Sequence, residues 1–180
     1  MAFTIATLNP IGGQSRASST TGKYWWQFDG SNDSLSLGAP LFQMSDDHCV
    51  IAGVNCASTG TTQLVVQPSG VLSSLRAGTL QITSTGFSQA IWYDGTSTNF
   101  CTASSGGFGT SKVLTARKTS TSGILRENGI QQDSAVTITA AGVSTGGSIG
   151  AFLGGAGPFQ GSIYPVIAIK GTVSDSDLLT

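Results

Sequence analysis

The side chains in this sequence that could do acid–base or nucleophilic chemistry are few. One glutamate, Glu127, and one histidine, His48, stand among 180 residues. A retaining glycosidase needs two carboxylates about 5 Å apart, one as acid and one as nucleophile. Glu127 has no glutamate to pair with, and it sits beside Asn128-Gly129, a turn signal. Asp175-x-Asp177 has a paired spacing, but Ser174 before it makes the segment a helix start, with carboxylates at the positive end of the dipole. A Ser-His-Asp or Cys-His site would have to run through His48. Asp47 and Cys49 flank it, and strand neighbours point to opposite faces, which separates His48 from both. No nucleophile elbow is expected in the Ser-rich stretches. No catalytic residue and no cofactor are therefore expected. Cys49, Cys56 and Cys101 lack Cys-x-x-Cys spacing and read as reduced, partly buried thiols.

Those residues need a scaffold, and composition narrows it. Charged residues make up 9% of the chain, against about 25% in an average soluble domain. Glycine occurs 25 times and Ser and Thr fill most polar positions, so short strands joined by turns are expected rather than charge-laced helices. The length suits one domain with a substantial core. The basic residues are scattered, with only Arg117-Lys118 adjacent, so there is no basic stripe to displace phosphate counterions and no direct nucleic-acid binding is expected. No apolar run reaches the length of a membrane-spanning helix. The start lacks the basic and apolar regions of a secretory signal, which predicts folding in a cytoplasm.

Residues 1–22 show no sustained periodicity and read as an extended N-terminal arm. Its apolar positions Phe3, Ile5, Leu8, Pro10 and Ile11, together with Arg16, are the candidate docking residues. Residues 23–180 read as β throughout. Tyr24 to Phe28 is a strand that breaks at Asp29-Gly30, and Leu35 and Leu37 then alternate with serines. Residues 48–54 form a mostly apolar run suited to a central strand. Further strands are expected at 62–67, 80–83, 89–93, 112–119, 136–140, 148–153 and 162–169, with 96–111 as a long loop holding a partial strand. Asn128-Gly129 marks a hairpin, because a type I′ turn needs positive φ at both central residues. Pro165 removes a ladder donor, so the last strand is expected to lie at an edge or to start irregularly. Two adjacent pairs, Trp25-Trp26 and Trp92-Tyr93, can each turn only one ring to the core. The other is left for a partner or a glycan.

The two ends of the β region are the most specific segments. Phe28-Asp29-Gly30-Ser31-Asn32-Asp33-Ser34-Leu35-Ser36-Leu37 resembles the opening of laminin-G-like, concanavalin-A-like jelly-roll domains, and Phe159-Gln160-Gly161-Ser162-Ile163 resembles the segment before their last strand. The resemblance covers about residues 24–178 and implies an all-β, two-sheet antiparallel jelly-roll sandwich. Such domains often hold calcium, for which Asp29, Asn32 and Asp33 are the candidates. Turn-amide bonding by Asp29 and Asp33 is the preferred reading. Leu8-Asn9-Pro10-Ile11-Gly12-Gly13-Gln14-Ser15-Arg16 is similar to the N-terminal stretch of small structural proteins of tailed bacteriophages, and Tyr164 to Gly171 is similar to jelly-roll domains of phage virion proteins. This implies a non-enzymatic virion protein assembled in the host cytoplasm. The expected role is capsid decoration, with the arm docked on the major capsid protein or on neighbouring copies in a homo-oligomer. The alternative is a carbohydrate-binding module of a tail fibre or spike that meets a host surface glycan through Trp25, Trp26, Trp92 or Tyr93.

Overall fold

A computed structural model describes residues 8–11, 15–18, 24–71, 75–93, 97–139 and 146–178. In chain order the strands are β1 (Leu8–Ile11), β2 (Ser15–Ser18), β3 (Tyr24–Asp29), β4 (Ser34–Leu37), β5 (His48–Cys56), β6 (Gln63–Val71), β7 (Leu75–Ile82) and β8 (Phe87–Tyr93). They continue with β9 (Thr98–Gly106), β10 (Ser111–Thr119), β11 (Ser122–Glu127), β12 (Ile130–Gln131), β13 (Val136–Thr137), β14 (Gly146–Ile149) and β15 (Gln160–Lys170), before one short helix, α1 (Asp175–Leu178). Two antiparallel sheets form a sandwich. Sheet A runs β12-β11-β10-β5-β15-β3-β2, with β13 on β11, and sheet B runs β1-β4-β14-β6-β7-β8-β9. This is the all-β architecture expected from the sequence.

Alternation builds the core. On β5, Val50, Ala52, Val54 and Cys56 point inward, where they meet Leu114 and Ala116 of β10, Ile163 of β15 and, from sheet B, Leu35, Leu80 and Trp92. Phe28 and Phe159, one from each end segment, meet edge to face with ring centres 6.1 Å apart inside this core. The two segments are direct partners, since β3 pairs with β15 from Asp29 opposite Gln160 to Trp26 opposite Ile163.

Three details differ from, or refine, the sequence expectation. Residues 98–106 are a full nine-residue strand rather than a loop, because Cys101 and Ala103 alternate inward beneath β8 despite the Ser/Thr/Gly composition. The last strand lies inside sheet A, between β5 and β3, and not at an edge. Pro165 falls where the register on β5 shifts between Ile163 and Val166, beyond the end of the β3 pairing, so the missing donor interrupts no ladder bond there. Within the segment read as an arm, Leu8–Ile11 pairs with β4 and Ser15–Ser18 with β3, which adds a strand to one edge of each sheet. Phe3 and Ile5 lie outside the described residues. The hairpin turn is as expected, with φ of 52° at Asn128 and 81° at Gly129.

Candidate functional site

The groups able to do chemistry are used by the fold. Glu127 faces the sandwich interior, where its Oε2 accepts from the Ser88 hydroxyl at 2.7 Å and its Oε1 lies 3.4 Å from the Lys112 ammonium. His48 is fully buried, stacked on Phe42 with ring centres 4.2 Å apart. Trp92 Nε1 donates to His48 Nε2 at 3.3 Å, and His48 Nδ1 lies 2.9 Å from the Asp46 carbonyl, so the proton belongs on Nδ1 of a neutral ring. Burial drives its pKa down to about 4, helped by the nearby Lys118 ammonium and opposed by Asp46 and Asp47. Lys118 is itself almost wholly buried, donating to the Asp46 carbonyl at 3.3 Å. The three thiols are free and buried, and burial pushes Cys49 up to about 12 and Cys56 up to about 11. They are too protonated to act as nucleophiles.

The turn and cap carboxylates are also occupied. The Asp29 amide donates to Asp33 Oδ2 at 3.0 Å, and the Ser31 amide to Asp29 Oδ1 at 2.7 Å. Ser174 caps α1 by exchanging bonds with Asp177, and Asp175 sits between Arg126 at 2.6 Å and Arg117 at 2.9 Å. Among the described residues no group of three or more His, Cys, Asp or Glu side chains could hold a metal ion. Gly146-Gly147-Ser148-Ile149-Gly150 spells the Gly-x-Ser-x-Gly pattern after all, but it is no nucleophile elbow. Ser148 lies within the antiparallel strand β14, buried on the outer face of sheet B, whereas His48 points into the core.

The outer face of sheet A carries two side-chain rows. One runs Gln27, Ser162, Asn55, Ser111 across β3, β15, β5 and β10, as their register pairs require. Ser162 Oγ donates to Gln27 Oε1 at 2.9 Å, and Asn55 Nδ2 lies 3.3 Å from Ser111 Oγ. Two residues along each strand, the second row runs Trp25, Tyr164, Gly53, Val113. The Trp25 and Tyr164 ring centres are 6.3 Å apart at a tilt of 55°. Tyr164 can lie over β5 because Gly53 has no side chain, since a Cβ there would come within 3.0 Å of the Tyr164 Cβ. Val113 is 47% exposed, and Ile167, farther along β15, is 45% exposed. Neither row contains a charged residue.

Sheet B differs. A polar ladder links Gln81 to Gln89 at 2.8 Å and Gln89 to Thr102 at 2.9 Å on its outer face. Beside it Ser148, opposite Gln67, and Thr79 of β7 are buried, and their side-chain polar atoms have no hydrogen-bond partner among the described residues.

Of the four aromatic candidates, Trp92 is wholly buried and Trp26 packs against the core, because each takes the inward turn of its pair. Trp25 and Tyr93 take the outward turn, and they lie on different sheets. Sequence reasoning missed Tyr164, Gln27, Asn55 and Ser162. Their signal was the alternation Gly161-Ser162-Ile163-Tyr164, which places Ser162 and Tyr164 on one face, opposite to Ile163.

No family model matches the chain, and no curated protein sequence does. Solved structures do match in fold. Domain 4 of AbnA, a GH43 extracellular arabinanase from Geobacillus stearothermophilus solved with arabinotriose, is 15% identical with a TM-score of 0.71, the match covering 98% of this chain and 87% of that one. The binding domain of botulinum neurotoxin DC in complex with SialylT is 11% identical with a TM-score of 0.72, and 96% of this chain covers 45% of it. Trypanosoma rangeli sialidase in complex with sialic acid is 11% identical with a TM-score of 0.72, and 94% of this chain covers 28% of it. The chain thus spans less than half of the toxin binding domain. At such identities the likeness shows the fold alone, a jelly-roll-like β-sandwich whose structural neighbours include both binding domains and enzymes.

Proposed function

We propose that the chain is a non-enzymatic structural component of a tailed-bacteriophage virion, a capsid decoration protein whose partners are the major capsid protein and neighbouring copies of itself. The observation that carries this reading is the contrast between the two kinds of residue. Glu127, His48, the thiols and the turn carboxylates are bound into the fold, while sheet A presents two adjacent uncharged, half-exposed rows. A protein built this way works by contact. The similarity of Leu8–Arg16 and Tyr164–Gly171 to phage virion proteins supplies the setting. The test is to probe purified particles of the source phage with an antibody raised against the recombinant chain. Stoichiometric labelling of the particle surface is expected, and particles free of the chain would overturn the reading. A panel of chromogenic glycosides should show no turnover.

A second reading, recognition of a host surface glycan, is favoured by one feature. Trp25 and Tyr164 form an aromatic pair on the same face as the amides of Gln27 and Asn55, the pairing of stacking surface and oriented polar groups that sugar binding uses.

A further inference from the structure

The two rows on sheet A are aligned, adjacent and different in chemistry. The polar row crosses four strands, and three inter-strand spacings give it a length of about 14 Å. Its side chains hold one another in place. Ser162 fixes the Gln27 carbonyl oxygen and Ser111 meets the Asn55 amide nitrogen, which leaves Gln27 Nε2 as a donor and Asn55 Oδ1 as an acceptor facing out. The neighbouring row supplies the Tyr164 and Trp25 rings, with Tyr164 settled over β5 by the missing side chain of Gly53.

We infer that these rows form one elongated site for a neutral, unbranched polysaccharide, with Tyr164 and Trp25 stacking on sugar rings and Gln27 and Asn55 hydrogen-bonding to hydroxyls. The inference rests on the second reading above and assigns that reading a place and a ligand class. Charge decides for a neutral ligand. The rows carry none, and across β10 and β11 the Arg117 and Arg126 guanidinium groups are both drawn onto the single Asp175 carboxylate, at 2.9 and 2.6 Å. Among the described residues neither row offers a cation to an anionic glycan, and the carboxylate bordering the polar row, Asp29 two residues along β3 from Gln27, already accepts from the Ser31 amide. A dry protein contact would bury the outward donor of Gln27 and acceptor of Asn55 and incur the desolvation cost of each one left unpaired, whereas sugar hydroxyls satisfy both.

The test uses the full chain labelled for two-dimensional amide NMR, titrated with linear hexasaccharides of β-1,4-glucan, α-1,4-glucan, mannan, xylan and arabinan, with a hyaluronan hexasaccharide as the charged comparator. At least one neutral sugar should move the amides of Trp25, Gln27, Asn55, Ser111, Ser162 and Tyr164. Gln27→Ala and Tyr164→Ala should each weaken that binding about tenfold or more, while Tyr164→Phe keeps it, because the ring and not the hydroxyl does the stacking. If Tyr164→Ala unfolds, Gln27→Ala carries the test. Shifts confined to sheet B, equal binding of hyaluronan, or no shift with any neutral sugar in the panel would each overturn the inference. Failure is separable from that of the virion reading. Sugar binding by a chain absent from particles sinks only the latter, and a particle-borne chain that ignores every sugar sinks only the former.

Discussion

Lowering the pH from about 7 to about 5 should destabilise this fold through one side chain, and the sign can be worked out from its surroundings. Protonated His48 would lose Nε2 as acceptor for the Trp92 indole, and it would bring a second cation beside the buried Lys118 ammonium. The folded state therefore holds the ring neutral down to about pH 4, while the unfolded chain takes up the proton near the ordinary value of 6.5. Between those values the unfolded state binds more protons than the native state, so stability falls as pH falls. The gap of about 2.5 units corresponds to about 3 kcal/mol in full, of which about 2 kcal/mol is already lost by pH 5. The other shifted groups nearby act elsewhere on the scale. Burial raises the pKa values of Asp46 and Asp47, but hydrogen bonds from Gln43 and Lys170, and from Thr172 and Ser120, outweigh it and hold both carboxyls low. Their contribution is present above about pH 4 and disappears only below it. As the sequence has one histidine, the window is clean. Urea unfolding at about pH 7 and about pH 5 should show the loss, and His48→Asn, though less stable at neutral pH, should flatten the slope. An unchanged free energy between the two pH values, or an equal slope in His48→Asn, would refute the reasoning.

Three further outcomes are expected. Gly129→Val forces a β-branched residue into positive φ at the hairpin turn and should cost about 1–2 kcal/mol in chemical denaturation, with Asn128→Gly nearer neutral although it loses the 2.8 Å bond from the Val113 amide to Asn128 Oδ1. Thr79→Val removes a buried hydroxyl that has no partner among the described residues, and its melting temperature should stay level or rise, since relieving such a group returns about 1 kcal/mol or more. Glu127→Gln keeps the Ser88 contact but strips the buried Lys112 of its counter-charge; stability should drop by about 1–3 kcal/mol in chemical denaturation.

The parts of the fold legible in the sequence were those set by local rules. Alternation in Ser34–Leu37, the Asn128-Gly129 turn and the Ser174 cap each need only a few neighbouring residues to declare themselves. β9 was hidden because its Ser/Thr/Gly composition imitates a loop, and only the pairing with β8 makes Cys101 and Ala103 inward residues. Pro165 was partly legible: the irregularity expected there is the register shift between Ile163 and Val166, but its place inside sheet A depends on the β3 pairing ending at Trp26 opposite Ile163, a fact about another segment. The site was half legible. Alternation sufficed to say that one ring of Trp25-Trp26 faces outward, but not which one, and the Gln27-Ser162-Asn55-Ser111 row exists only through the register of four strands drawn from distant parts of the chain.

The place of β15 bears on how the protein is made. Because this last strand sits between β5 and β3, sheet A is in two unconnected pieces until residues 160–170 arrive, and the bond from Ser162 to Gln27 spans 135 positions. A nascent chain short of that strand leaves both flanks of the gap as open edges, each a template for pairing with another chain. Folding of sheet A is thus held back until residues 160–170 are available, and the loop-closure entropy of so distant a contact makes that step slow. A truncation before Gln160 should therefore yield an aggregating fragment rather than a smaller sandwich.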